Sequence, residues 1–151
     1  MNGILRSSRF PFSAVASAAL AISLAGGFAL QPGVALAAQS QVVLSGAQEV
    51  PPVHTAASGH GTITVDDDGS VRGSVMVTGM DATMAHIHIG APGTNGRHII
   101  DLESSGGGTW SVPAGARLTS KQMTEYKAGD LYINVHSDQY MGGEIRGQLK
   151  P

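Results

Sequence analysis

Cysteine is absent from this 151-residue chain, and charged and aromatic side chains are scarce, at 13% and 5%. Without cysteine the chain cannot form disulfide bonds, iron–sulfur clusters, thiolate zinc sites or a thiol nucleophile. The formal net charge is −2. Because no basic excess is available to neutralise a phosphate backbone, we expect no nucleic-acid partner.

Glycine, in contrast, is abundant, with 21 residues. Each glycine inside a helix costs about 1 kcal/mol relative to alanine, so a helical bundle is disfavoured. The length suits one domain of ordinary size. Length and composition together predict a single small domain that is mainly β.

The amino terminus has the pattern of a secretory signal peptide. Residues 1–10 contain two arginines and no acid, the apolar run Ser13–Leu30 follows, and Ala35–Ala37 forms a small-x-small cleavage site. An uncleaved membrane anchor is the alternative, but two glycines and a proline interrupt the end of the run. We predict that residues 1–37 are removed and that residues 38–151 form a secreted or periplasmic domain.

Cleavage would leave a mature chain with no membrane span and with seven basic and eleven acidic side chains, a net charge of −4. All six histidines belong to this part. They are the main candidates for chemistry in a chain with so few ionisable groups.

The mature chain alternates between short β-patterned segments and turn signals. The predicted strands are Gln41–Leu44, Gly61–Val65, Val71–Thr78, Ala85–Ile89, His98–Leu102, Thr109–Val112, Leu131–His136 and Glu144–Leu149. One segment between Thr119 and Gly129 has helix-capping residues at both ends and predicts a short helix. Eight short strands at this spacing predict an immunoglobulin-like or Greek-key β-sandwich or barrel.

Two predicted strands have histidine on their polar side. Alternate strand residues point the same way, so His86 and His88 share one face, and Tyr132, Asn134 and His136 share another. A hairpin between the last two strands would place Asn134 opposite Arg146 and His136 opposite Glu144. This predicts a sheet face rich in imidazole, carboxylate and guanidinium groups.

Imidazole is a suitable ligand for copper and zinc, so His86, His88 and His136 are predicted as a metal site. In such a site Glu144 would hold an imidazole tautomer, and His98 is a fourth candidate ligand. The alternative is that the histidines are hydrogen-bonded structural residues. Nitrogens about 3–4 Å apart would favour a shared ion, and separations above about 7 Å the structural role.

Other polar residues have simpler interpretations. Glu144 and Arg146 lie two apart on one strand face, and we interpret them as an ion pair between strands. His54 and His60 are predicted to be surface residues. The run Asp66–Gly69 lacks the alternating ligands of a calcium loop and predicts a solvated hairpin turn. No motif typical of hydrolases, phosphate-binding loops or zinc proteases is present, so no catalytic residues are predicted.

Four segments have distinctive motifs: Ser45–Val53, Ala85–Gly96, Leu131–His136 and Gly142–Leu149, in that order along the chain. Together they resemble the CHRD (chordin) domain family. The resemblance includes nearly all of the predicted mature domain and fits a bacterial, secreted, single-domain type. At Met141 this sequence departs from the proline that is common in the family.

The resemblance implies an extracellular immunoglobulin-like β-barrel with limited similarity to copper–zinc superoxide dismutases, and no established activity. It also implies that the His-x-His strand and Val135-His136 are similar to the copper-binding strand pair of those enzymes. The absence of a cysteine pair and of a long zinc loop argues against a complete two-metal dismutase.

Two functions follow as hypotheses. The first is a non-enzymatic binding or structural role in the cell envelope or extracellular space, with an unidentified protein or envelope partner, which includes adhesion or matrix assembly. The alternative is a copper- or zinc-binding protein with a dismutase-like histidine site.

Overall fold

The computed structural model of the chain describes residues 38–151, so the predicted signal peptide lies outside the described residues. Nine strands, one 3₁₀ turn (Gly46–Gln48) and one α-helix, α1 (Ser120–Ala128), follow along the chain. The strands are β1 (Ala38–Ser45), β2 (Ser58–Val65), β3 (Val71–Thr78), β4 (Ala82–Ile89), β5 (His98–Asp101), β6 (Glu103–Gly106), β7 (Thr109–Ser111), β8 (Leu131–Ser137) and β9 (Ile145–Leu149). The prediction of an all-β fold with one short helix is confirmed.

The strands form one antiparallel sheet in the order β5-β4-β8-β9-β1-β2-β3-β7-β6. Its two edge strands, β5 and β6, are separated along the chain by Leu102 alone. The two edges must therefore lie beside each other, and the sheet curls into a nearly closed barrel. Leu102 stabilises this corner, since it is buried and its backbone N–H donates to the Ala85 carbonyl at 2.8 Å.

The core fills the inside of the curled sheet with side chains from alternate strand positions. In β1 the inward residues Val42 and Leu44 are buried, whereas Val43 between them is 67% exposed. The most deeply buried apolar residues of β8 and β9 are Ile133, Val135, Ile145 and Leu149. Burial of this kind is worth about 1.5–3 kcal/mol per large apolar side chain, and it decides which strand face points inward.

Helix α1 begins and ends where the sequence predicts. Thr119 caps it, because its side chain accepts from the Gln122 N–H while the Gln122 side chain accepts from the Thr119 N–H. Gly129 ends it in the left-handed conformation, with φ of 80°. Within the described range, no helix is long and apolar enough to span a membrane.

Seven of the eight predicted strands differ from the observed ones by a few residues at their ends, and Val71–Thr78 agrees fully. Asp66–Gly69 forms the predicted turn between β2 and β3. Strand β6 was not predicted, because Glu103–Gly106 is exposed throughout and has no apolar alternation. Its pairing with β7 across a glycine turn creates the strand, and that pairing is not visible in local sequence.

The end of α1 provides a test of the backbone argument. Gly129→Ala should destabilise the domain by about 1 kcal/mol, because alanine is strained at positive φ. Gly142→Ala is the matched control, since no atom lies within 4 Å of an added Cβ at either position and only Gly129 has a positive φ. Urea unfolding should show the difference, and equal stabilities of the two variants would contradict it.

Candidate metal centre

The histidines of β4 and β8 lie on the face of the sheet that points away from the core. The β4/β8 register pairs His86 with Asn134 and His88 with Tyr132. Their inward neighbours Ala85 and Ile87 are buried in the core. The predicted polar faces of the two strands therefore meet on one surface.

One ring nitrogen from each of His86, His88 and His136 converges on a common point, with all three nitrogens within 4.8 Å of one another. The closest pair is His86 Nδ1 and His136 Nε2, at 3.1 Å. Two nitrogens bound to one tetrahedral ion are about 3.4 Å apart at ordinary ligand distances. At up to 4.8 Å, the widest pair would need to close by up to about 1.4 Å; it lies between the 3–4 Å that would favour a shared ion and the 7 Å above which a structural role would be favoured.

The position of His88 depends on the loop that follows β4. Its Nδ1 donates to the Gly96 carbonyl at 2.8 Å, which leaves the lone pair of the neutral ring on Nε2. Position 96 must be glycine, because an added Cβ would overlap the Ile89 carbonyl oxygen. Glycine thus lets the loop lie close enough to β4 to fix the His88 tautomer.

His136 is held in the same way from the other side. Its Nδ1 donates to the Met141 carbonyl at 3.0 Å, so its Nε2 also presents a lone pair. His86 then donates from Nδ1 to that Nε2, and its own Nε2 faces Asp101 Oδ1 at 3.7 Å. Binding an ion through His86 Nδ1 would move the ring proton to Nε2, where Asp101 is close enough to attract it.

Burial keeps the three rings neutral. It lowers the pKa of His88 to about 4, although the hydrogen bond to Gly96 acts in the opposite direction. Burial also lowers the pKa values of His86 and His136, opposed by the charge of Asp101 and by the hydrogen bond to Met141 respectively. Neutral imidazole is the form that binds metals, so the cluster is in the ligand state at neutral pH.

These residues fit a copper or zinc ion. The Nε2 atom of His88 is fully buried and has no hydrogen-bond partner. Leaving a buried polar atom unpartnered costs about 1–3 kcal/mol, a cost that an ion in the cluster would remove. The donor set is three neutral imidazoles, each oriented through its second nitrogen by a carbonyl or carboxylate, as is usual for metal-binding histidine.

The remaining histidines are outside this cluster. His98 lies at its edge: its ring stacks on His86 at 5.0 Å between centroids, but its side chain is 61% exposed and its Nε2 faces Asp101 at 3.8 Å. It is not among the converging ligands of the described chain. His54 and His60 are exposed, as predicted.

The predicted ion pair between Glu144 and Arg146 is wrong. Asn134 does lie opposite Arg146, but Glu144 precedes β9 and turns away. Its carboxylate accepts from Thr55 Oγ1 at 2.6 Å and from Ser137 Oγ at 2.5 Å. Glu144 therefore does not fix a histidine tautomer either. The carbonyls of Gly96 and Met141 fix the tautomers of His88 and His136.

Arg146 instead forms hydrogen bonds with the loop that contains Gly96 and stabilises its position. Its guanidinium donates to the Thr94 carbonyl at 2.8 Å and to the Ala91 carbonyl at 3.1 Å. It also packs 3.5 Å from the centre of the Tyr132 ring, which stacks on His88. Since Arg146 is 1% exposed, these carbonyls compensate the burial of its charge.

Glu49 is a buried acid of this region that the sequence analysis did not single out. It is 5% exposed, its Oε2 lies 3.5 Å from Asn134 Nδ2, and its Oε1 has no hydrogen-bond partner. Burial raises its pKa to about 7, although the positive charge of Arg146 acts to lower it. The only feature of the sequence that could have pointed to Glu49 is its position within Ser45–Val53, one of the segments that resemble the CHRD family.

Comparison with known proteins identifies the family. The model of the CHRD domain matches residues 40–149. Chordin of Xenopus laevis is 25% identical over 116 residues, which include 74% of this chain but only 12% of chordin. The chain thus spans about an eighth of that relative. No solved structure matches the chain significantly.

The raised pKa of Glu49 predicts a pH-dependent stability. The folded protein binds the Glu49 proton more tightly than the unfolded chain does. Protonated Glu49 therefore contributes fully to the free energy of unfolding below about pH 4.5, and this contribution is lost as the pH rises to about 7. Glu49→Gln stays neutral and avoids this loss. The free energy of unfolding of this variant, relative to that of the natural chain, should therefore rise by on the order of 1–3 kcal/mol between pH 4.5 and pH 8.

Urea unfolding in chelator at several pH values measures this difference. Glu103→Gln is the control for removal of one carboxylate, because Glu103 is exposed and lies on β6. A Glu49→Gln difference that is flat or falls with rising pH would contradict the argument.

Proposed function

The chain belongs to the CHRD domain family, and we propose that this member is an exported, non-enzymatic protein that binds a copper or zinc ion through His86, His88 and His136. The observation that supports the proposal is the convergence of one nitrogen from each histidine within 4.8 Å. Imidazole binds both metals well, and three protein ligands are enough to hold either.

A purely structural role explains the cluster less well. Structural histidines in a buried layer normally use their ring nitrogens in hydrogen bonds. Here the carbonyls of Gly96 and Met141 satisfy the outward nitrogens, while the inward Nε2 of His88 has no partner. His86 Nδ1 donates to His136 Nε2, so the buried Nε2 of His88 is left with a lone pair that no donor in the described chain meets, and a cation bound there would use it.

Export and a binding role rest on the sequence. The arginine-containing start, the apolar run Ser13–Leu30 and the small residues before Ala38 support secretion or a periplasmic location. The lack of any recognised catalytic motif favours binding over catalysis. In this proposal the domain binds the ion as its ligand, and an additional protein or envelope partner remains compatible with it.

Metal titration with matched variants tests the proposal. Chelator-treated protein should bind one zinc or copper ion per chain, and ion at about 100 times Kd should add about 2.7 kcal/mol to the free energy of unfolding. His88→Asn and His136→Asn place an amide nitrogen near the Nδ1 position and remove Nε2. They should retain the bond to the carbonyl but lose at least about 100-fold in affinity.

His60→Asn is the control, because His60 is exposed and lies on β2, away from the cluster. It should bind metal like the natural chain. Two results would overturn the proposal: binding far below one ion per chain in the natural protein, or unchanged affinity in both cluster variants. Unfolding curves without metal show whether the variants remain folded, which separates loss of a ligand from loss of the fold.

A further inference from the structure

We propose that Met84 supplies a thioether ligand to the histidine cluster and adapts it to Cu(I). This inference rests on the proposed function, since it concerns the same site. It names a fourth ligand that neither the sequence analysis nor the family match identified, and it commits the site to the reduced form of copper.

The strand register places Met84 beside two of the three histidines. Met84, His86 and His88 alternate along β4 and share its outward face. Across the β4/β8 pair, Met84 lies directly opposite His136. Opposite residues have Cβ atoms about 4.5–5.5 Å apart, and residues two apart on a strand are about 6.5–7 Å apart, so a methionine side chain can reach between them.

The side chain of Met84 is also available for binding. It is 43% exposed, whereas the neighbouring Ala85 and Ile87 are buried in the core. Methionine has three rotatable side-chain bonds, so its sulfur can turn toward the cluster without a change in the backbone. A single exposed methionine is ordinary on a protein surface, and it is the position of Met84 beside the cluster that makes it a candidate ligand.

The chemistry of the donors then indicates the metal. Soft thioether sulfur favours Cu(I), while zinc takes imidazole, thiolate and carboxylate in preference to thioether. The nearest carboxylate, on Asp101, faces the far nitrogen of His86 rather than the point where the three histidines converge. Three neutral imidazoles and one thioether form a neutral donor set that is well suited to a singly charged soft ion.

The test compares Cu(I) and Zn(II) affinities in Met84→Leu. Leucine keeps the size and apolar character of the side chain and removes the sulfur. Anaerobic competition with bicinchoninate should show Cu(I) binding weakened by about tenfold or more, while competition with a zinc chelator should show a change below about threefold. X-ray absorption at the copper edge should detect a sulfur neighbour in the natural chain and none in the variant.

Met76→Leu is the matched control, because Met76 is 44% exposed and lies on β3. It should keep both affinities and the sulfur signal. Equal Cu(I) affinity in the natural chain and Met84→Leu, or equal losses for both metals, would overturn the inference and leave the three-histidine site standing. A natural chain that binds neither metal would overturn the proposed function as well.

Discussion

Strand β8 is buried along its whole length and on both faces, and the rest of the domain is arranged around that constraint. One face, with Leu131, Ile133 and Val135, packs into the core. The other presents Tyr132, Asn134 and His136, whose polar atoms lose contact with water. A strand of this kind is stable only if other parts of the chain supply hydrogen-bond partners, because each unpartnered polar group costs about 1–3 kcal/mol.

Two connecting segments meet most of that need. The loop of residues 90–97 accepts hydrogen bonds from Arg146 and His88 and donates one from Gly96 to the Tyr132 hydroxyl. The segment after β1 brings Glu49 to Asn134, and the Asn95 side chain joins the two segments by donating to the Val50 carbonyl. The orientation of the histidines is therefore a consequence of how the buried layer of β8 is satisfied, and Arg146 contributes to it through the loop without touching the cluster.

The sequence predicted the strands, the helix and the three histidines because each depends on a local pattern: alternation, capping residues, or two residues on one strand face. The register of Asn134 with Arg146 followed from a short hairpin. The hydrogen bond between Thr55 and Glu144 could not be predicted, because the two residues lie 89 positions apart along the chain. Glu49 and Asp101 were missed because their contacts depend on which strands pair and in what register. Asp101 lies opposite His86 in the β4/β5 pair, and the pairing of β1 with β9 brings Glu49 toward Arg146.

The hydrogen bonds described above leave a few buried side-chain atoms of this polar layer without a partner. In the part of the chain that the structure describes, these atoms are Glu49 Oε1, His88 Nε2 and Asn134 Oδ1, and all belong to this one layer. Protonation of Glu49 near neutral pH would supply one donor, and reversing the Asn134 amide would bring its oxygen toward that proton. No comparable adjustment satisfies His88, because its Nδ1 proton is already held by Gly96 and a second proton is disfavoured by burial. In the proposed function, a metal ion would bind this nitrogen without breaking the hydrogen bond to Gly96 that positions the ring.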